Sequence, residues 1–508
     1  MTVTQRTRRQ TRGQIMLIIA VALVGLLAFT GLAIDLGRYF VVMGRLRQAA
    51  DAGVLAAASQ FRENNTLTDM THAARSVIQA NGFTPTTLQV DTCATDPGDP
   101  YLCNPPRRKK VRVIVTADMP TTFLRIVGID TVHLRAEAVG EAAAMDVVVV
   151  LDTSESMTYD APLGDPMRDP SQCNPVNGCH PFEEVRSAAA SFVSRILNLP
   201  AADEQDRVAL VTFSNGWRDG DTTLIYPPGT PAGSTIDAAW TYDYTTASAM
   251  INGMKVFDPG RECTTADLNG SSDAVGPCRR YDSGQYVGLD CPLFHNPSYH
   301  DPSTCTTTNI GGGLFWAAQL LSTSGREDSL WVVVLLTDGA ANATLPASND
   351  DLTSEDTLRL TLPFGHCPSN TFSTPPFCRD DDPDTRHSST NASYDADDYA
   401  RDMADFVSCS AVSPAAGCAM GGQNAIIFSI GLGPLVLRSY GGSTKPDGGA
   451  LLRYIAAVGD DGDPATDPCQ GITDYTTWCG NYYYSPSGSQ LNQVFEDIAS
   501  RLFTRLTH

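Results

Sequence analysis

Residues 146–157 read DVVVVLDTSESM, and no other stretch restricts the possible folds so much. Residues 147–151 are a continuous apolar run of strand length. Such a run, closed by polar residues, predicts a central strand buried on both faces. Asp152, Ser154 and Ser156 follow in the spacing D-x-S-x-S. Alternate residues at the carboxyl end of a strand can turn toward one point above the sheet. A carboxylate and two hydroxyls meeting there make a hard oxygen cluster, which suits Mg²⁺, Mn²⁺ or Ca²⁺ and suits zinc poorly.

Two further segments complete the pattern. Thr308 lies in TTTNIGGGLFWAAQLL, read as a loop that opens a helix, and Asp338 ends WVVVLLTDG, read as a second buried strand followed by a turn at Gly339. Together the three segments resemble the metal-ion-dependent adhesion site of the von Willebrand factor A (vWA) family, and all five positions match its pattern. The resemblance implies that Ser154, Ser156 and Thr308 touch a metal while Asp152 and Asp338 act largely through bound waters. It implies Mg²⁺, with Mn²⁺ or Ca²⁺ as alternatives, and a partner that offers an Asp or Glu carboxylate. The fold it implies is α/β: a Rossmann-like, mostly parallel sheet with helices on both faces.

At 508 residues the chain is too long for one compact core, so two or three domains are expected. A net charge of −22 argues against a nucleic-acid partner. The acidity is uneven, because Arg6, Arg8, Arg9 and Arg12 stand in a leading segment without acids. Residues 15–34 follow as an uninterrupted apolar stretch. Twenty helical residues rise about 30 Å, the thickness of a bilayer core. A single membrane span is expected, with residues 1–14 cytoplasmic and the remainder outside a bacterial cell membrane. A cleaved signal peptide is the competing reading, but Gly31-Leu32-Ala33 matches an A-x-A cleavage site poorly.

All 14 cysteines lie beyond this stretch, in seven near-neighbour couples: 93/103, 173/179, 263/278, 291/305, 367/378, 409/418 and 469/479. Consecutive pairing is the simplest scheme, and disulfides imply an oxidising space. No C-x-x-C pair is present, which weakens a zinc reading.

Apolar residues continue at helical spacing past the span, at Phe40, Met43, Leu46, Ala50, Val54 and Ala57. One helix over about 14–61 is expected. HAARSVIQANGF reads as a second helix stopped at Asn81-Gly82, and residues 88–92, 111–117 and 132–139 as strands. The segments RGQIMLIIAVAL, GLAIDLGRYF and LRQAADAGVLAAA resemble the N-terminal part of TadE/TadG-like proteins of the tight-adherence (Tad) pilus machinery. The helix plus small sheet over 35–143 is similar to a pilin. The pattern departs from type IV prepilins, in which a Gly precedes the cleavage point and Glu stands fifth after it. Here Gly13 precedes Gln14, and the fifth position is Ile18.

Beyond residue 146, helices are expected over 181–197, 247–256, 310–321, 398–407, 451–458 and 491–506. Strands are expected over 207–213, 222–226, 425–430 and 482–484. Alternation of this kind gives a parallel sheet covered on both faces, with ligands held at the carboxyl ends of the strands. Cysteine-bearing insertions at about 215–307 and 340–397 flank the site and are expected to frame or cover it. Two acidic loop clusters, Asp380/381/382/384 and Asp460/461/463/467, do not fit an EF-hand loop. Gly311, Gly312 and Gly313 are read as a tight backbone turn behind Thr308.

Three functions compete. The first is a membrane-anchored adhesion or assembly protein whose partner is a pilus component or a surface ligand, with a generic vWA adhesin unrelated to pili as its variant. The second is a metal-dependent hydrolase, for which Glu155 and Asp338 are the nearby acids. The third is a cytosolic vWA subunit of a motor or chelatase, which the apolar stretch and the cysteines oppose. The first is favoured, without catalysis.

Overall fold

The computed structural model describes residues 11–60, 66–103, 110–141, 144–197, 206–214, 223–231, 234–269, 277–290, 308–326, 329–342, 385–388, 395–439 and 445–505. It divides into two compact units, residues 1–142 and, in the main, 143–502.

In the first unit α1 (Thr11–Ala58) is followed by α2 (Leu67–Ala80), β1 (Thr87–Thr92), β2 (Lys110–Pro120) and β3 (Thr131–Glu141). The first half of α1 exposes large apolar side chains all round, among them Met16, Leu23, Leu26 and Phe29. This helix is long and apolar enough to cross a membrane. Its second half is buried at Leu46, Ala49, Ala50, Val54 and Ala57 against Met70, Ala74 and Ile78 of α2 and the inner face of the sheet. Phe40 departs from that stripe and is exposed. The alternation seen in the sequence becomes the sheet's core face, with Val111, Val113 and Val115 of β2 fully buried. Strands run antiparallel in the order β1-β2-β3. α2 begins one turn earlier than its periodicity suggests. Thr66 and Asp69 form a capping box there, each side chain accepting the other's backbone N–H.

The second unit contains, in order, β4 (Ala144–Asp152), α3 (Phe182–Leu197), β5 (Arg207–Phe213), β6 (Thr223–Ile225), α4 (Tyr244–Gly253), β7 (Cys278–Asp282), β8 (Gln285–Asp290), α5 (Ile310–Ser324), β9 (Ser329–Thr337), α6 (Ala396–Ser408), β10 (Ile426–Leu432), α7 (Asp447–Asp461), β11 (Tyr482–Ser485) and α8 (Leu491–Arg505). Six strands form one sheet in the order β11-β10-β9-β4-β5-β6, parallel except for the short antiparallel edge β6. β4 is central, and Val147, Val148, Val149, Val150 and Leu151 have no exposed surface. Val148 and Val150 point into a core with α5, α6 and α7. The alternate residues face the other side, where α3 packs against α4 and the Phe192 and Phe495 rings lie 5.3 Å apart. The fold is therefore mixed α/β, with an apolar N-terminal helix and a mostly parallel sheet between helices.

Five expected disulfides are present: Cys93–Cys103, Cys173–Cys179, Cys263–Cys278, Cys409–Cys418 and Cys469–Cys479. The couples 291/305 and 367/378 lie outside the described residues, as does the Asp380–384 cluster.

Three expectations are corrected. The helix placed at 247–256 is α4, which begins earlier because Asp243 caps it through Thr246 N, 2.8 Å away. The first insertion contains the β7–β8 hairpin, turned at Ser283 and Gly284, both at positive φ. Gly311, Gly312 and Gly313 are not a turn but the first helical residues of α5. A Cβ on Gly311 would lie 2.3 Å from the Tyr399 ring, and one on Gly313 would lie 2.8 Å from Phe213. The glycines let α5 press against α6 and the sheet.

Candidate metal centre

The end of β4 is pinned before it reaches the loop. Thr153 N–H donates to the carbonyl of Phe213 at 2.8 Å, and Phe257 N–H donates to the carbonyl of Thr153 at 2.8 Å. Asp152 is buried, and both its oxygens are used: Oδ1 accepts from Ser154 N–H at 2.7 Å and Oδ2 from the Thr337 hydroxyl at 2.6 Å. The aspartate thereby ties the β4 loop to the end of β9. Ser154 Oγ and Ser156 Oγ are 2.9 Å apart, and the Ser156 hydroxyl donates to Asp338 Oδ1 at 2.7 Å. Ser154, Ser156 and Asp338 thus meet directly, and Asp152 joins them through a backbone N–H and Thr337.

Thr308 arrives separately. Its N–H donates to Asn342 Oδ1 at 2.6 Å, and Asn342 N–H donates back to its carbonyl at 3.1 Å. Its hydroxyl faces Gly339 and is 3.9 Å from where a Cβ on that residue would sit. The next residue, Asn309, starts α5: its N–H donates to Ser214 O at 2.9 Å and its side chain caps Gly312 N at 2.8 Å. All five residues read from the sequence therefore lie at the carboxyl edge of the sheet. Thr337, Asn309 and Asn342 were missed; each stands within four residues of a named position, but none belongs to the motif.

The donor chemistry fits a hard divalent cation. Burial raises the carboxyl of Asp152 above its ordinary range, against hydrogen bonds from Thr337 and Ser154. Burial, joined by the charge of Asp152, pushes the carboxyl of Asp338 well above it. Among the described residues no cationic side chain pairs with either acid. Two adjacent buried carboxylates are relieved by protonation or by a counter-charge, and hydroxyl and carboxylate oxygens are ligands that a hard divalent cation takes. Among the described residues the buried Asn309 Nδ2 and Ser214 Oγ find no hydrogen-bond partner.

Beside the cluster lies a cleft of about 200 Å³, lined among others by Ser156, Asp338, Tyr159, Arg168, Leu435 and Arg438. The Arg168 guanidinium stacks 3.7 Å from the centre of the Tyr159 ring. Glu155, between the two serines, turns the other way. Its oxygens accept from the hydroxyl of Tyr286 at 2.9 Å and from Leu289 N–H at 3.1 Å, both on β8.

Two other acidic groupings are close enough to hold an ion, Asp395/Asp397/Asp398 and Asp405/Cys409/Cys418. In the second, both sulfurs belong to a disulfide and offer no thiolate. In the first, Asp395 caps α6 and Arg401 pairs with Asp397 and Asp398. The loop acids Asp461, Asp463 and Asp467 bond to nearby backbone N–H groups and shape turns.

Residues 13–60 match a family model described as a putative Flp pilus-assembly TadE/G-like segment. No curated protein matches the chain. Among solved structures the chain is similar to the vWF domain of the type V pili tip protein Mfa5 from Porphyromonas gingivalis (14% identity, 72% of this chain and 97% of that one, TM-score 0.33). It is also similar to the PilB minor pilin from Streptococcus sanguinis (15% identity, 82% of this chain and 78% of that one, TM-score 0.31). A third is the pilus adhesin RrgA from Streptococcus pneumoniae (12% identity, 78% of this chain and 47% of that one, TM-score 0.30).

Proposed function

We propose that the chain is a membrane-anchored, extracytoplasmic protein of the Tad pilus type that mediates pilus assembly or surface adhesion. In this reading residues 1–14 are cytoplasmic, 15–34 cross the membrane, 35–143 form a membrane-proximal region, and 146–508 form a vWA-like binding unit with insertions at about 215–307 and 340–397. Asp152, Ser154, Ser156, Thr308 and Asp338 hold one Mg²⁺, with Mn²⁺ or Ca²⁺ as alternatives.

The observation that carries this reading is the meeting of two buried carboxylates and two serine hydroxyls at the sheet's carboxyl edge, beside a cleft. A divalent cation bound there supplies a positive charge that takes a partner's carboxylate as a further ligand. Asp152 orients the loop through Ser154 N–H and Thr337. Ser156 and Asp338 face the cleft, whose walls also carry Arg168, Arg438 and Asp160. The TadE/G-like segment supports a pilus setting. Catalysis is not part of the proposal; Glu155, which stands between the two serines in the chain, is bound to β8 and is turned away from the cluster.

The test is calorimetric titration of the detergent-solubilised full chain with Mg²⁺ and Mn²⁺, joined to attachment and piliation assays. One site is expected, absent in Asp152→Ala. Asp338→Ala should remain folded and membrane-bound while attachment or piliation falls. Unchanged metal binding in Asp152→Ala would place the metal elsewhere. Normal attachment and piliation in Asp338→Ala would remove the metal from the mechanism.

A further inference from the structure

We infer that the turn joining β2 to β3 is a second membrane contact, seated in the lipid interface beside the last turn of α1's apolar run. The inference rests on reading residues 15–34 as a membrane span.

The turn, residues 121–130, reads TTFLRIVGID. Hairpin connections that face water are normally built from small polar residues. Here Phe123, Ile126, Val127 and Ile129 are 39%, 79%, 74% and 46% exposed. An apolar group of this kind, contiguous on one tip, calls for a non-aqueous partner.

The tip is fastened at one height on α1. The carboxylate of Asp35 accepts three successive backbone N–H groups: Thr122 at 2.9 Å, Phe123 at 2.7 Å and Leu124 at 2.7 Å. The guanidinium of Arg38 donates to the hydroxyl of Thr122. One turn before Asp35, Gly31 makes room for the ring-bearing residue, since a Cβ on it would lie 2.8 Å from Cβ of Phe123. Four helical residues rise about 6 Å, so the tip lies level with the final turn of the apolar run. Apolar side chains of interfacial segments sit about 5–10 Å into the boundary between headgroups and acyl chains, which is the same depth.

The surface is continuous with the span itself. Leu26, Leu27, Phe29 and Leu32 of α1 are 65%, 60%, 75% and 47% exposed. Lipid that covers them reaches the tip of the turn, which commits the patch to the bilayer. Arg125 and Arg38, both exposed, flank it where lipid phosphates lie. Asp35 can stand at this boundary because its charge is spread over three N–H donors rather than left bare. Two contacts at different points around the helix would fix the tilt and rotation of the first unit on the membrane, which one helix alone leaves free.

The test is depth-dependent fluorescence quenching on the full chain, reconstituted in phosphatidylcholine/phosphatidylglycerol vesicles brominated in the upper acyl chain. Ile126→Trp adds an emitter at the tip, and Leu23→Trp serves as the span control. The five native tryptophans are measured in the parent chain and subtracted. The expected result is that both added emitters lose most of their signal in brominated vesicles and resist aqueous iodide. Quenching of Leu23→Trp with an iodide-accessible, unquenched Ile126→Trp overturns the turn contact and leaves the span intact. Ile126→Trp shielded from both quenchers assigns the tip to a protein partner and also overturns it. An unquenched Leu23→Trp overturns the span, and the inference with it.

Discussion

The phenolic hydroxyl of Tyr286 donates to Oε1 of Glu155 at 2.9 Å, joining residues 131 positions apart. Glu155 stands between Ser154 and Ser156, so the β7–β8 hairpin grips the loop after β4 from behind. Burial pushes the carboxyl of Glu155 upward, and burial with the charge of Glu155 pushes the phenol of Tyr286 upward as well. Tyr286→Phe deletes this bond and leaves the acid with Leu289 N–H as its main support. The expected cost is about 1–2 kcal/mol in denaturant unfolding. Mn²⁺ affinity in the same variant should fall as the serines lose their fixed spacing. An unchanged affinity would mean that the loop holds its shape without the hairpin.

Gly311 is expected to resist the smallest possible enlargement. A methyl group there would meet the Tyr399 ring at 2.3 Å, and that ring is fully buried. Overpacking of this kind costs about 1–3 kcal/mol. Gly44→Ala, with nothing within 4 Å of its new methyl group, serves as the control and is expected to be neutral or stabilising. The thermal midpoint should fall for Gly311→Ala and stay level or rise for Gly44→Ala.

Asp146 holds two arginines at the base of the sheet. It is fully buried, and its oxygens accept from Arg207 at 2.8 and 2.9 Å and from Arg326 Nε and N–H at 2.9 and 2.8 Å. Burial works to raise its carboxyl, but the two guanidinium groups outweigh it and the net shift is downward. Asp146→Ala strands Arg207 in the interior and is expected to cost about 3–5 kcal/mol. Asp146→Ala with Arg207→Met should cost less than the sum of the single changes. A double-mutant cycle measures the difference.

Asp267 sets a pH dependence within the first insertion. The guanidinium of Arg261 and the N–H of Thr264 bring its carboxyl down to about 2. A depressed folded pKa means stability that is present above the ordinary carboxylate range and lost as pH falls through the folded value. The Tm difference between the parent chain and Asp267→Asn should therefore be constant above about pH 5 and shrink as pH falls from about 4 toward 2. A difference that does not change with pH would show that the capping geometry matters and the charge does not.

The parts legible in the sequence were those written in short-range patterns. The run at residues 147–151 and the run leading to Asp338 could only be buried strands, and alternation in β2 fixed its inner face. D-x-S-x-S, Thr308 and Asp338 were joined by their resemblance to the vWA pattern, and the two strand ends among them share an edge of the sheet. What stayed hidden depends on contacts made at long range. Nothing near Glu155 signals its hold on a tyrosine in an insertion. The glycines of α5 were misread because a tight turn and a close helix crossing both require a missing side chain, and only the neighbour, Tyr399, decides between them. The β7–β8 hairpin left a weak mark in Ser283-Gly284, a dipeptide suited to its turn but not flanked by apolar alternation.

The hydrogen bond from Ser156 to Asp338 closes a loop of 182 residues, whereas each of the five disulfides closes one of 15 or fewer. Closing a loop of that length costs more chain entropy than closing a short one. The cluster at the sheet's edge therefore depends on β4 and β9 lying side by side in register. A chain halted before β9, or one with β9 out of register, keeps its serines and the cross-links that precede β9 but does not bring Asp338 to Ser156.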